Sequence, residues 1–194
     1  MRQPEAWPQL PAMNSLNAGP RYTKVAVTLH WLIAALVVFM LVMGMASLEE
    51  TPNSSPDKLF ALRGHMVIGI TILALMLVRL VVRFSTRRPP AATTGYPLLD
   101  RAAALAHYGL YALVILMAAS GVATALSAGL PDIVFGGSGK PLPESFASYP
   151  ARTVHGIVGS LLAFLVLVHI IAALWHHFVR RDGLLRRMSF SRGR

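Results

Sequence analysis

Four long apolar stretches dominate the pattern of hydrophobic and polar positions along the chain. Each is close to free of charged residues over the roughly 20 residues that a membrane-spanning helix needs. They lie between Lys24 and Glu49, Arg63 and Arg83, Arg101 and Asp132, and Arg152 and Arg180. Arg79, within the second stretch, is expected to snorkel to the headgroups or to meet an anionic group. The pattern predicts an all-α integral membrane protein, a four-transmembrane-helix up-and-down bundle.

Basic residues are distributed unevenly between the two ends of these helices. Fourteen of the 18 Lys and Arg residues lie in the N-terminal segment, the second connection with its flanks, and the C-terminal tail. The positive-inside rule then places both termini in the cytoplasm. The first and third connections are expected on the outer face. The third, Asp132 to Ser148, is rich in Gly and Pro and predicts an irregular loop with room for a short surface helix.

Composition agrees with a membrane protein. Hydrophobic residues make up 55% of the 194 positions, charged residues 13%, and the mean hydropathy is +0.56. A globule of this size has too little interior for so many apolar side chains. Residues 1–20 lack the apolar core of a signal peptide and predict a disordered extension. Residues 21–188 form the predicted membrane domain, and residues 189–194 a basic tail.

The formal net charge of +10 and the lack of cysteine narrow the classes of function. The basic residues flank apolar runs, as topology signals do, so the expected partner is the lipid bilayer and not nucleic acid. Without cysteine the chain has no disulfide, iron–sulfur cluster, thiolate-ligated haem or covalently attached haem. Histidine and methionine remain as ligands for a non-covalent haem.

The fourth apolar stretch carries two histidines at a suggestive spacing. His155 and His169 are 14 residues apart, which is roughly 21 Å along a helix. At about 100° per residue their side chains point within roughly 40° of each other. One helix could therefore ligate two stacked haems, one in each leaflet, through these two residues.

Each of these histidines has a partner at a similar depth. His65 and His155 both lie close to the outer start of their helices, two and three residues after an arginine. His30 and His169 lie six and eleven residues from the cytoplasmic ends, a difference that helix tilt can absorb. The predicted haem-iron ligands are thus His65 with His155 and His30 with His169. The simpler alternative for any one of them is a packing or proton-relay histidine.

Three further histidines are less easily assigned. His107 lies at cytoplasmic depth in the third stretch and could replace His30 or His169, line a quinone pocket, or form a hydrogen bond within the bundle. His176 and His177 lie where the fourth helix leaves the membrane, and an interfacial role is expected. Four glycines lie near the outer histidines: Gly64, Gly69, Gly156 and Gly159. They fit either a porphyrin between helices or ordinary close packing of the helices.

Several segments together resemble the bacterial cytochrome b561 family, which is related to the cytochrome b subunits of nickel–iron hydrogenases and formate dehydrogenases. The segments are TLHWL at 28–32, RGHMVIGI at 63–70, VRLVVRF at 78–84, LAHYGLYALV at 105–114 and HGIVGSLLAFLVLVHIIAALWHHF at 155–178. The resemblance covers about residues 22–188 and all four helices. It implies two b haems on histidines of helices one, two and four, carried over as His30, His65, His155 and His169.

The resemblance also implies a function in the bacterial inner membrane. Members of the family exchange electrons with the quinone pool, and ubiquinone or a related quinone is the expected acceptor. Some members similar to this chain oxidise superoxide at the outer face, and others are membrane partners of dehydrogenases. We therefore expect an electron to pass from an outer donor to the haem held by His65 and His155, then to the haem held by His30 and His169, and finally to a quinone.

Charged residues near the two sites have two interpretations each. Arg79 and Arg83 could contact haem propionates or quinone, or stay at the headgroups. Four basic residues are expected on the outer side: Lys58, Arg63, Lys140 and Arg152. They could steer a small anion such as superoxide, although solvated loop charges are the simpler interpretation.

Two rival functions stay open. One is a haem-bearing anchor subunit that conducts electrons for a soluble dehydrogenase. The other is a histidine-relay transporter of protons or metal ions. The absence of Asp and Glu from all four stretches argues against the transporter, because such relays usually include a carboxylate.

Overall fold

A computed structural model describes residues 21–86, 89–90 and 95–190. The predicted disordered extension, residues 1–20, and residues 191–194 of the predicted basic tail lie outside the described residues. Both remain predictions.

Four long helices and one short helix form most of the described part of the chain. The four long helices confirm the predicted fold class. The helices are α1 (Lys24–Met43), α2 (Pro56–Ser85), α3 (Pro97–Ser127), the short α4 (Leu130–Val134) and α5 (Pro150–Trp175). Single π-helical turns continue α1 over Gly44–Leu48 and α5 over His176–Arg180. With these turns, α1, α2, α3 and α5 are each long and apolar enough to cross a membrane.

The starts of the helices are fixed by local chemistry. Thr23 caps α1, because its hydroxyl accepts a hydrogen bond from the Ala26 N–H. Ser55 caps α2 in the same way, at the Asp57 N–H. Proline occupies the first position of α2, α3 and α5, where its missing N–H costs no hydrogen bond. These starts set the depth of every histidine that follows.

The buried side chains form two groups along the bundle. A central cluster fills the middle of the bundle. An outer cluster packs beneath the third connection and comprises Leu62, Ala125, Ala128, Leu130 and Val134. The central cluster comprises Leu29, Ile33, Val37, Ile72, Met76, Val114 and Leu162. Many other large apolar side chains, such as Phe39, Val81 and Phe164, are exposed on the outside of the bundle. A bilayer is the solvent that accommodates them.

The third connection is more closely packed than predicted. It contains the short helix α4, whose Leu130 and Val134 are buried in the outer cluster while Asp132 is exposed, so one side of this helix packs on the bundle. The Arg63 guanidinium donates two hydrogen bonds, of 3.2 and 2.6 Å, to the Val134 carbonyl and ties α4 to α2. Further along, the Asn53 amide donates to the Pro143 carbonyl at 2.7 Å. The connection is therefore a lid held by polar anchors.

The opposite end of the bundle is closed by the C-terminal segment. The Trp31 indole N–H donates to the carbonyl of Met188 at 2.8 Å, which holds a short 3₁₀ turn against α1. His176 pairs with Asp182 just beyond α5. Partial burial acts to raise the pKa of the Asp182 carboxyl, but hydrogen bonds from His176 and the Leu184 N–H outweigh it and hold that pKa below its usual value. An interfacial role for His176 agrees with this contact.

Replacing Arg63 by methionine should loosen the lid. The variant loses charge-assisted hydrogen bonds to the Val134 carbonyl, worth about 1.5 kcal/mol or more, and this corresponds to about tenfold more frequent local opening. Cleavage of the purified protein at Glu144 by a glutamate-specific protease should accelerate by about that factor. Lys140→Met, in the same exposed loop, is the control. Equal cleavage rates for the two variants would show that Arg63 does not hold the lid.

Candidate functional site

The outer pair of predicted histidines meets between α2 and α5. The ring centroids of His65 and His155 lie 6.0 Å apart with an interplanar angle of 68°, and both residues are half-buried. Two imidazoles on opposite sides of one metal ion have about this separation, since each metal–nitrogen bond is about 2 Å and each ring adds its radius. The structure therefore brings this predicted pair together at a spacing suited to a shared iron.

Helix α3 fixes the orientation of the His155 ring. Its Nδ1 lies 3.0 Å from the Met117 carbonyl and 3.2 Å from the Ser120 hydroxyl. An Nδ1–H that donates to a carbonyl leaves the lone pair on Nε2, which is the form of histidine that binds a metal. Ser120, 6% exposed, was not predicted from the sequence. A serine within the apolar run between Tyr111 and Thr124 is the signal that could have identified it.

A large cavity opens beside this pair. Its volume is about 720 Å³, within the range of pockets that bind organic cofactors. Both His65 and His155 line it. Members of the central cluster, including Val37, Ile72 and Leu162, also line it, and so do charged residues of the outer connections. The cavity is apolar on one side and polar on the other, as an amphipathic cofactor such as haem requires.

Two glycines of the bundle allow the close approach of neighbouring side chains. A Cβ at Gly121 would lie 3.1 Å from Cε1 of His155, and one at Gly159 would lie 3.2 Å from the end of Met117. Gly121 was not predicted. A Cβ at Gly64 or Gly69 would meet no atom within 4 Å, so these two predicted glycines are not required by close packing in the described structure. Gly69 does line the cavity.

The inner site brings three histidines together. His30 and His169 have ring centroids 6.3 Å apart, and His107 and His169 have centroids 5.3 Å apart. His30 and His169 are half-buried, whereas His107 is exposed and its Nδ1 lies 2.6 Å from the Ala103 carbonyl one turn earlier. The spacing favours His30 as the partner of His169 across a metal ion. His107 sits against the same ring from α3.

Arg79 and Arg83 interact with tyrosines of α3. Arg79 donates from Nε to the Tyr111 hydroxyl at 3.0 Å and from a terminal nitrogen to the Ala26 carbonyl at 2.9 Å. Arg79 therefore has a phenol and a carbonyl as partners inside the bundle, and its expected contact with the headgroups or with an anionic group stays a prediction. The Arg83 guanidinium lies 5.2 Å from the Tyr111 ring centroid and 5.8 Å from that of Tyr108.

The outer basic residues differ in their surroundings. Lys58 is only 5% exposed, and its ammonium donates to the carbonyls of Leu48 and Thr51. Arg152 forms an ion pair of 2.9 Å with Glu49. The simpler interpretation of solvated loop charges is thus wrong for Lys58, because the first connection folds over it.

The described residues contain no group of three or more histidine and carboxylate side chains that could hold a metal ion together. An iron in a porphyrin does not need such a group, because the macrocycle supplies four nitrogens and the protein only the two axial ligands. Two facing imidazoles and a cavity beside them fit a b-type haem.

Comparison with known proteins agrees with this chemistry. The family model for prokaryotic cytochrome b561 matches residues 21–191. Cytochrome b562 of Cereibacter sphaeroides is 32% identical over 184 residues, covering 89% of this chain and 98% of that protein. The probable superoxide oxidase CybB of Yersinia pestis is 27% identical over 178 residues, 87% of this chain and 95% of that protein. Cytochrome b561 homolog 2 of Escherichia coli is 26% identical over 184 residues, 91% of this chain and 95% of that protein.

The bundle and the paired histidines define a membrane-bound b-type cytochrome. The chain belongs to the prokaryotic cytochrome b561 family. The resemblance identified from the sequence is confirmed. The family carries b-type haem and functions in haem-based electron transport, and the four apolar helices make this chain a multi-pass protein of the bacterial inner membrane.

Substitution of Gly121 by leucine should damage the outer site selectively. The new side chain starts 3.1 Å from Cε1 of His155 and forces the ring out of place. Purified Gly121→Leu protein should lose the haem predicted for the outer histidine pair, one of the two predicted from the sequence, and keep its helical circular dichroism. Gly64→Leu, at an exposed position on α2, is the matched control. Full haem content in the Gly121 variant would contradict the placement of the site.

Proposed function

We propose that this protein carries electrons across the inner membrane by means of two b haems, between a donor at the outer face and the quinone pool. His65 and His155 would hold the outer haem, and His30 and His169 the inner one. The observation that supports this most directly is the repeated spacing of the two histidine pairs, 6.0 and 6.3 Å between ring centroids, with one member of each pair on α5.

Helix α5 sets the distance between the two sites. It runs without interruption from Pro150 to Trp175, so the 14 residues from His155 to His169 correspond to about 21 Å. When bound, haem supplies reversible one-electron chemistry at each level. The protein would contribute the imidazole nitrogens that hold each haem, and the central cluster would provide an apolar environment between the two levels.

Side chains around the sites would hold the ligands in place. Met117 and Ser120 keep the Nε2 lone pair of His155 available for iron. Arg79 and Tyr111 place a positive charge and a hydroxyl beside the inner level, where they could contact a propionate or a quinone. His107, exposed on α3 and touching His169, is the candidate for contact with a quinone from the bilayer.

The orientation of the bundle follows from its charges. Of the 18 Lys and Arg residues, fourteen lie in the N-terminal segment, the second connection with its flanks and the C-terminal tail, which supports a cytoplasmic location for both termini. The lid over the 720 Å³ cavity then faces the periplasm, and the His30 level lies in the cytoplasmic leaflet.

A finer proposal concerns the electron donor. Superoxide is the donor supported by the 27% identity to the probable superoxide oxidase of Yersinia pestis and by the cations Lys58 and Arg152 in the outer cavity. The protein would then be a superoxide:ubiquinone oxidoreductase. The alternative, a haem-bearing anchor for a dehydrogenase, predicts the same ligands and a protein partner in place of the small anion.

Single histidine substitutions test the ligand assignment. His65→Ala and His155→Ala should each remove one haem, as should His30→Ala and His169→Ala, so each variant keeps about one of two. The variants of one pair should lose the same haem, recognised by its midpoint potential in an optical redox titration. His107→Ala should keep both haems. Loss of a haem in that variant, together with retention in His30→Ala, would reassign the inner ligand to His107.

Reconstituted vesicles test the donor and the acceptor. Protein in liposomes that contain ubiquinone should consume superoxide generated enzymatically outside, faster than protein in liposomes without quinone. His155→Ala should reduce the quinone-dependent rate to the background of empty liposomes, since the outer site is lost. A rate independent of quinone and of His155 would exclude superoxide as the donor and favour the anchor alternative.

A further inference from the structure

A buried lysine lies beside the outer cavity, and the electron transfer proposed above assigns it no contact with the haem. Lys58 is the third residue of α2, seven residues or about 10 Å before His65 on the outer side. It is 5% exposed and lines the cavity together with His65 and His155. The ammonium donates hydrogen bonds to the carbonyls of Leu48 and Thr51, both neutral. A buried cation with neutral partners calls for an anion nearby.

A second cation reaches the same cavity from α5. Arg152 precedes His155 by three residues, and its guanidinium lies 3.0 Å from the place where a Cβ on Gly156 would stand. Its charge acts on the Lys58 ammonium and on both outer imidazoles, and the opposite charge of Glu49 also acts on the Lys58 ammonium. The partner of Arg152 in the described structure is Glu49, with side chains 30% and 61% exposed. Such exposed ion pairs are weak, so a carboxylate within the cavity can take the guanidinium from Glu49.

We propose that Lys58 and Arg152 bind the propionate carboxylates of the haem held by His65 and His155, an assignment that rests on the proposed function. A haem is apolar except for its two carboxylates, and this cavity is apolar except at the end of the outer connections, where both cations lie. Glu49 and Glu144 also line that end, and both are exposed to solvent. Of the charged residues that line the cavity, the two least exposed, Lys58 and Arg152, are therefore positive and complement the carboxylates.

The two cations would tune the haem as well as hold it. Removal of a cation beside a propionate leaves an uncompensated negative charge near the iron, which favours the oxidised state and lowers the midpoint potential. A purely structural role is the competing account of Lys58, because its hydrogen bonds also order the first connection. A spectroscopic signal from the propionate carboxylates themselves distinguishes propionate binding from a purely structural role of Lys58.

The experiment compares Lys58→Met with Lys140→Met, which removes the same charge from an exposed position in the outer loop. Each holoprotein is made with haem carrying ¹³C in its propionate carboxyls. Redox titrations give the potential of each haem, and redox-difference infrared spectra give the labelled carboxylate bands. In Lys58→Met the potential of the outer haem should fall and its labelled bands should shift. Both quantities should stay at wild-type values in Lys140→Met, as should the inner haem in every variant.

Arg152→Gln provides an independent variant should Lys58→Met not accumulate, and the same two changes are expected for it. Labelled bands that coincide with the wild type in these variants would overturn the assignment, even with a shifted potential, because a nearby charge alone could move the potential. An equal fall in Lys140→Met would also overturn it. Wild-type protein without haem would instead refute the proposed function, so the two failures are distinguishable.

Discussion

The whole bundle is organised around the cost of placing imidazole rings inside a membrane. A polar group in hydrocarbon that has no hydrogen-bond partner destabilises the protein by several kcal/mol, because the group has lost its hydrogen bonds to water. His30, His65, His155 and His169 lie half-buried among apolar side chains, so each ring nitrogen needs a partner. Their arrangement in facing pairs fits the proposed ligation, in which one iron would take up a nitrogen from each ring of a pair. The other ring nitrogen can then bond to the protein, as Nδ1 of His155 does.

Helix α5 connects the outer and inner sites mechanically. It contributes one ring to each pair and packs closely on α3, where Gly121 and Gly159 leave room for His155 and Met117. Displacement of α5 along its axis would move both sites together. The lid formed by α4 and the third connection is anchored to α2 by Arg63. Arg63 lies two residues before His65, so the same turn of α2 holds the lid and positions the His65 ring.

Much of this arrangement could be predicted from the sequence, because length and periodicity determine it. Apolar runs bounded by charges gave the four helices, and a spacing of 14 residues gave the two levels of histidines. The partners of individual side chains could not be predicted, since they depend on the rotation of neighbouring helices. The contact of Ser120 and Gly121 with His155 requires the register of α3 against α5. The burial of Lys58 requires the first connection to fold back, which local sequence does not specify.

The number of haems bound per wild-type chain tests the two proposed sites most directly. A reduced-minus-oxidised absorbance spectrum of detergent-purified protein, with haem and protein quantified on the same sample, measures it directly. Two b-type haems per chain are predicted, one for each pair of facing histidines. A single haem per chain, in protein expressed with ample haem supply, would contradict one of the two pairs, and a chain without haem would contradict both.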